Sequence, residues 1–178
     1  MGVLGCMAER LKEQLIEKNK VVDLVIGPDA YRDLPNILQA LEANTDESKI
    51  NVQLSMDETY ADITPLRINQ NQKQAFVSVM RGCNNMCSFC VVPFTRGRER
   101  SRPIKSILKE IEIAQSQGVR EITLLGQNVN SYHDVSDQTI ESKHENSPGF
   151  AELYKLRGGQ GLRFAQLLKE VASKFPDI

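Results

Sequence analysis

The stretch that decides the fold runs Ala75-Phe76-Val77-Ser78-Val79-Met80-Arg81-Gly82-Cys83-Asn84-Asn85-Met86-Cys87-Ser88-Phe89-Cys90. Ala75 to Met80 is an apolar run with β-branched residues, which predicts a buried strand, and three thiols follow it directly. Downstream, Ser101-Arg102-Pro103 opens a helix. Ser101 is placed to cap free backbone donors and Pro103 suits a first-turn position. Ile104, Ile107, Leu108, Ile111 and Ala114 give this helix one apolar face, and Gly118 ends it. Glu121 to Leu125 is the next strand. Strand, connection, helix and strand make a βαβ unit, so the two strands should run parallel. The cysteine loop and the Gly126-Gln127-Asn128 loop then both leave the carboxyl ends of parallel strands, where such sheets place ligands.

Working outward, Met7, Leu11 and Leu15 at four-residue spacing predict a helix over 7–18, and Val21 to Ile26 a short strand with a turn at Gly27-Pro28. Leu34, Ile37, Leu38 and Leu41 predict a second helix over 29–42, which completes an αβα fragment. Residues 45–74 are polar and weakly periodic, and read as an interdomain linker. Residues from about 133 to 161 turn polar and read as a mobile surface insertion. Their closing Gly158-Gly159-Gln160-Gly161 has neither the spacing nor the Lys-Ser/Thr of a phosphate loop. Phe164, Leu167, Leu168 and Val171 predict one more amphipathic helix over 164–175. The fold class is α/β. Two parallel strands leave open edges and an incomplete core, so the chain reads as a piece of a larger protein.

With 22 Lys plus Arg against 23 Asp plus Glu, the net charge is -1, which excludes a histone-like binder driven by overall charge. Hydrophobic residues at 40% allow a packed core. No window approaches the roughly 18 apolar residues of a membrane span, so no membrane partner is expected. Met1 to Arg10 lacks the basic start and apolar run of a secretory signal.

Four cysteines do not read as two disulfides here, because Cys83, Cys87 and Cys90 crowd together while Cys6 stands alone upstream. Thiolates select iron–sulfur clusters, zinc or copper(I). A structural zinc site usually closes with four ligands, often in separated pairs, whereas His133 and His144 lie in the polar insertion. Three cysteines on a four-iron cluster leave one iron open for chemistry. Zinc and unliganded thiols remain the alternatives. Arg96, Arg98, Arg100, Arg102 and Lys105 fall within ten residues against one acid, Glu99. They read either as contacts to phosphate or to a cofactor carboxylate, or as structural salt bridges.

The C-x3-C-x2-C spacing with Phe89 before the last cysteine resembles the radical S-adenosylmethionine (SAM) enzymes. The longer match, Val77 to Asn84 and Pro93 through Pro103, together with Leu124-Leu125-Gly126-Gln127-Asn128-Val129-Asn130-Ser131-Tyr132, resembles the radical-SAM methylthiotransferases. Gly126 to Asn130 is similar to the branch that modifies tRNA rather than the branch that modifies a ribosomal protein. The flanking residues resemble its eukaryotic mitochondrial members, first named for association with a cyclin-dependent kinase regulatory subunit.

The resemblance implies that residues 1–44 are the carboxyl-terminal part of the family's amino-terminal domain. It implies that 75–178 are an incomplete radical-SAM core, the first βαβ part of a partial (β/α) barrel. Cys83, Cys87 and Cys90 would hold the radical-generating [4Fe-4S] cluster. Cys6 would be the last of three ligands of a second, auxiliary cluster, whose other two would lie upstream. Phe89 would pack near the adenine of SAM, and Gln127 and Asn128 would hydrogen-bond SAM or a nucleotide. No side chain is expected to act as a catalytic acid or base. The implied activity adds a methylthio group to carbon 2 of N6-isopentenyladenosine beside the anticodon, an activity not expected of these 178 residues alone. The implied partners are the tRNA anticodon arm, an electron donor and a cyclin-dependent kinase regulatory subunit. The implied location is mitochondrial, with a cytoplasmic one as the alternative. Two rivals are a radical-SAM enzyme that methylthiolates a protein side chain, and a kinase-regulator binder without catalysis.

Overall fold

The computed structural model describes residues 1–18, 21–43, 50–52, 54, 66, 71–137 and 160–178. Most of the expected linker, and residues 138–159 of the insertion expected over about 133–161, lie outside the described residues. The chain divides into two compact units. One combines Met1–Thr59 with Arg81–Arg100, and the other Tyr60–Met80 with Ser101–Ile178.

The first unit is built on three parallel strands in the order β1 (Gly2–Leu4), β2 (Leu24–Ile26) and β3 (Ile50–Asn51). All three residues of β2 are buried, as expected of a central parallel strand covered on both faces. On one side Leu24 and Ile26 pack with Ala30 and Ile37, the latter from α3 (Leu34–Glu42); on the other Val25 packs with Ala8 and Val22. Leu38, which periodicity assigns to the buried face of α3, is exposed. The single helix expected over 7–18 is instead two short ones, α1 (Cys6–Leu11) and α2 (Gln14–Lys18). Lys12 between them has φ 48°, which a right-handed helix cannot accommodate. The break lets Leu15 and Ile16 turn onto the Ala8–Val22–Val25 cluster.

In the second unit β4 (Gln74–Ser78) pairs with β7 (Glu121–Leu125) in parallel, from Gln74 opposite Glu121 to Ser78 opposite Leu125. The crossover helix is α5 (Ile104–Ser116), as the βαβ reading expects. Its Ile104, Ile107 and Ile111 join Val77, Val79, Met80, Tyr132, Leu162, Leu167 and Phe175 in one core. Each fully buried isoleucine contributes about 2 kcal/mol. The strand expected over 75–80 is interrupted at Val79, whose N–H still donates to Leu125 on β7 while its carbonyl accepts from Arg102. The chain continues as β5 (Met80–Arg81), paired with β6 (Arg100–Ser101); the segment between them, which carries the short helix α4 (Val92–Thr95), belongs to the first unit. Strands β8 (His133–Asp134) and β9 (Leu162–Arg163) pair antiparallel, so His133 and the buried Asp134 belong to the packed unit and not to the surface insertion expected from about 133, and α6 (Phe164–Lys174) closes the unit.

The start of α5 corrects one expectation. Ser101 does not cap it: its hydroxyl accepts the N–H of His133 at 2.9 Å. Pro103 is the capping residue itself, and the N–H of Ile104 donates instead to Asp134 Oδ2 at 2.7 Å, across 30 residues of sequence. The second carboxylate oxygen accepts from the N–H of Ser136, and the Tyr132 hydroxyl donates to the carbonyl of Arg102. Replacing Asp134 with Ala should therefore lower the unfolding free energy by about 1–2 kcal/mol, whereas Ser101→Ala should cost less, as measured by urea denaturation.

Candidate functional site

The cysteine loop belongs to the first unit. Its base is closed by short contacts: the N–H of Cys83 donates to the carbonyl of Gly97 at 3.3 Å, and the N–H of Glu99 to Asn84 Oδ1 at 3.1 Å. Gly82 makes this closure possible. It sits at φ 74°, and a Cβ there would run into the carbonyls of Gly97 and Arg98. Beyond the base the chain is exposed from Asn84 to Phe89.

All four thiols are free: Cys83 is buried, Cys6 and Cys90 are half-buried, and Cys87 is exposed. The sulfur of Cys83 accepts the N–H of Asn85 at 3.4 Å, and the N–H of Cys90 donates to the carbonyl of Cys87. Among the described residues no three His, Cys, Asp or Glu side chains stand together as a metal-holding group. The donor set nonetheless suits a soft metal centre, being three thiols with a backbone amide already directed at one sulfur. Bringing Cys87 toward Cys83 moves an exposed segment and disturbs no core side chain. A cavity of about 430 Å³ opens beside Cys83, lined by Met86, Pro93, Phe94 and Arg98 among others. Phe89 is 89% exposed and outside that lining.

The arginine run divides its tasks. Arg100 and Arg102 are buried and serve the fold, as in the structural alternative. Arg100 pairs with Asp29. Arg102 donates to the Ser78 carbonyl and Glu110 at 2.7 Å each, and to the Ser106 hydroxyl at 2.8 Å. Arg96 donates from Nε to the sulfur of Cys6 at 3.1 Å. Arg98 and Lys105 are exposed.

Gln127 and Asn128 belong to the second unit, directly after β7. Gln127 is exposed, and the carbonyl of Asn128 accepts both the N–H and the hydroxyl of Ser131. Gly126 before them is packed so closely that a Cβ would lie 2.5 Å from Met80 Cγ.

Sequence reasoning missed Asp29, Arg81 and Glu9. Asp29 follows Gly27-Pro28 and is expected as the first residue of the helix over 29–42, whereas it lies in the turn ahead of α3, which begins only at Leu34. Glu9 is buried, and its Oε2 has no hydrogen-bond partner among the described residues; its other oxygen lies 3.9 Å from Lys12 Nζ. Burial raises its carboxyl pKa above the ordinary value, Lys12 opposes the shift and the charge of Asp29 adds to it. A carboxyl with a raised folded-state pKa costs stability while ionised, and the cost is relieved as pH falls through that pKa. Glu9→Gln should therefore raise the thermal midpoint at pH 8, with the gain shrinking as the pH is lowered toward 4.5.

The sequence profile of the radical SAM superfamily matches residues 77–171. A CDK5RAP1-like protein of Oryza sativa subsp. japonica is 55% identical over all of this chain and 30% of its own length. The mitochondrial tRNA methylthiotransferase CDK5RAP1 of Rattus norvegicus is 53% identical over all of this chain and 30% of its own. The tRNA-2-methylthio-N(6)-dimethylallyladenosine synthase of Amoebophilus asiaticus is 54% identical, over all of this chain and 34% of its own length. The chain thus spans about a third of the length of these curated relatives. Among solved structures, the radical S-adenosylmethionine methyltransferase TsrM of Kitasatospora setae matches 72% of this chain and 30% of its own, with a TM-score of 0.51 and 16% identity, a likeness of fold. With a profile match that begins in β4, takes in the cysteine loop and α5, and extends into α6, the chain belongs to the radical SAM superfamily.

Proposed function

We propose that this chain is the cluster- and SAM-binding portion of a tRNA methylthiotransferase that modifies carbon 2 of N6-isopentenyladenosine beside the anticodon. The observation that carries this reading is the thiol triplet Cys83, Cys87 and Cys90. It lies on a loop beyond the carboxyl end of a parallel strand, in a superfamily chain whose relatives at 53% and 54% identity are named for that activity. In this reading residues 1–44 belong to the amino-terminal domain together with β3 (Ile50–Asn51), the rest of 45–74 links it onward, and 75–178 are part of the radical-SAM core.

Cys83, Cys87 and Cys90 would hold a [4Fe-4S] cluster, and Cys6 would contribute to an auxiliary one. When bound and reduced, the first cluster supplies the electron that cleaves SAM. The rest is work for the chain's own residues. The Asn85 amide, directed at the sulfur of Cys83 at 3.4 Å, would orient that sulfur as a ligand. The cavity with Met86, Phe94 and Arg98 offers apolar contact and one cation to a ligand that carries both an adenine and a carboxylate. Phe89, which is 89% exposed, would stack on the adenine. Gln127 and Asn128, after the end of β7, would hydrogen-bond SAM or a nucleotide. No protein acid or base is assigned. A tRNA anticodon arm and an electron donor are the partners this chemistry requires. Mitochondrial location is supported by the names of the rat, mouse and human relatives.

Anaerobic reconstitution should load about four irons per chain on the cysteine loop, with a paramagnetic signal on reduction that SAM perturbs and Cys83→Ala abolishes. Bound zinc without a paramagnetic signal would overturn the cluster assignment. Disrupting the gene should remove 2-methylthio nucleosides from tRNA, read by mass spectrometry; unchanged nucleosides would move the target to a protein side chain.

A further inference from the structure

Asp29 lies just past the carboxyl end of β2, with 1% of its side chain exposed, and two arginines share it. Arg81 Nη2 is 3.1 Å from Oδ1; Arg100 Nη1 is 3.1 Å from Oδ2, and its Nη2 is 3.4 Å from Oδ1. These arginines bracket the cysteine loop, since Arg81 stands two residues before Cys83 and Arg100 ten after Cys90. One carboxylate therefore holds both ends of the segment that carries the three thiols. The network runs on: Arg100 Nη2 donates to the carbonyl of Arg96 at 2.9 Å, and Arg96 Nε reaches the sulfur of Cys6 at 3.1 Å. Arg81 Nη2 also donates to the carbonyl of Pro28 at 3.4 Å.

We infer that Asp29 is a positioning residue for cluster assembly, whose carboxylate holds the cysteine loop in the conformation that receives iron. This rests on reading Cys83, Cys87 and Cys90 as cluster ligands. The physical case has two parts. Fixing the ends of a loop before the metal arrives removes part of the ordering cost from the binding step. Two guanidiniums deprived of a shared buried counter-ion repel each other and splay the ends they hold. The distances tie Asp29 to the loop's two flanks, so its effect is on how firmly iron is held and not on which atoms hold it.

The test is anaerobic iron reconstitution of the chain and of its Asp29→Asn, Asp29→Glu, Arg81→Gln and Cys83→Ala variants. Iron content, the rate of iron loss to a ferrous chelator and the paramagnetic spectrum with and without SAM are recorded, with circular dichroism to establish folding. Asp29→Asn should lose iron roughly tenfold faster or more, Arg81→Gln should show a smaller acceleration, and Asp29→Glu should restore most of the retention. A folded Asp29→Asn variant with the iron retention and spectrum of the parent chain would overturn the role of Asp29 and leave the cluster assignment standing. If Asp29→Asn does not fold, Arg81→Gln decides, and unchanged iron loss there overturns the role equally. A parent chain that takes up no iron, or binds it unaffected by Cys83→Ala, sinks the cluster assignment and this inference with it.

Discussion

A carboxylate removed from water between two guanidinium groups is the constraint on which the first unit turns. Asp29, Arg81 and Arg100 are all buried or nearly so, and each would be costly alone. Removing one partner from such a pair costs about 3–5 kcal/mol, mostly through the charge left behind. Because the two arginines come from opposite ends of the cysteine loop, this local requirement reinforces the β5–β6 pairing that brings those ends together. The same charge bears on Glu9, whose buried carboxyl is pushed toward its neutral form partly by Asp29. Short backbone contacts then close the loop's base at Gly82, Cys83 and Gly97, and leave the segment from Asn84 to Phe89, with Cys87, exposed.

The second unit solves a different problem with related parts. Parallel pairing of β4 and β7 puts Ser78 opposite Leu125, so the segments beyond both strands leave from one end of the sheet. At Val79 the backbone changes partners, its N–H serving β7 and its carbonyl serving Arg102. Arg102 locks that change with bonds to Ser78, Glu110 and Ser106, tying the end of β4 to the first turns of α5. Asp134 supplies the cap that Pro103 cannot, since a proline ring offers no side-chain acceptor for the free N–H of Ile104. A basic run that looks uniform in sequence is thus divided into buried anchors at Arg100 and Arg102, a thiol contact at Arg96, and exposed cations at Arg98 and Lys105.

Sequence by itself determined the elements whose cause is local or periodic. The isoleucine face of α5, the strand Glu121–Leu125, the helical, strand and helical stretches between Cys6 and Glu42 (though not β1 before them or the break at Lys12) and the parallel sense of the βαβ unit all follow from apolar spacing and chain handedness. The thiol triplet was equally legible, because ligand chemistry is written in residue type and spacing. Tertiary structure alone decided where charge is spent. That Asp29 binds Arg81 and Arg100, that Asp134 caps a helix 30 residues upstream and that Arg102 holds the end of β4 all depend on groups distant in sequence. The physical reason is that periodicity reports which face of an element is apolar, whereas the partner of a buried charge or an unpaired backbone donor is chosen by whichever group the completed packing brings within about 3 Å.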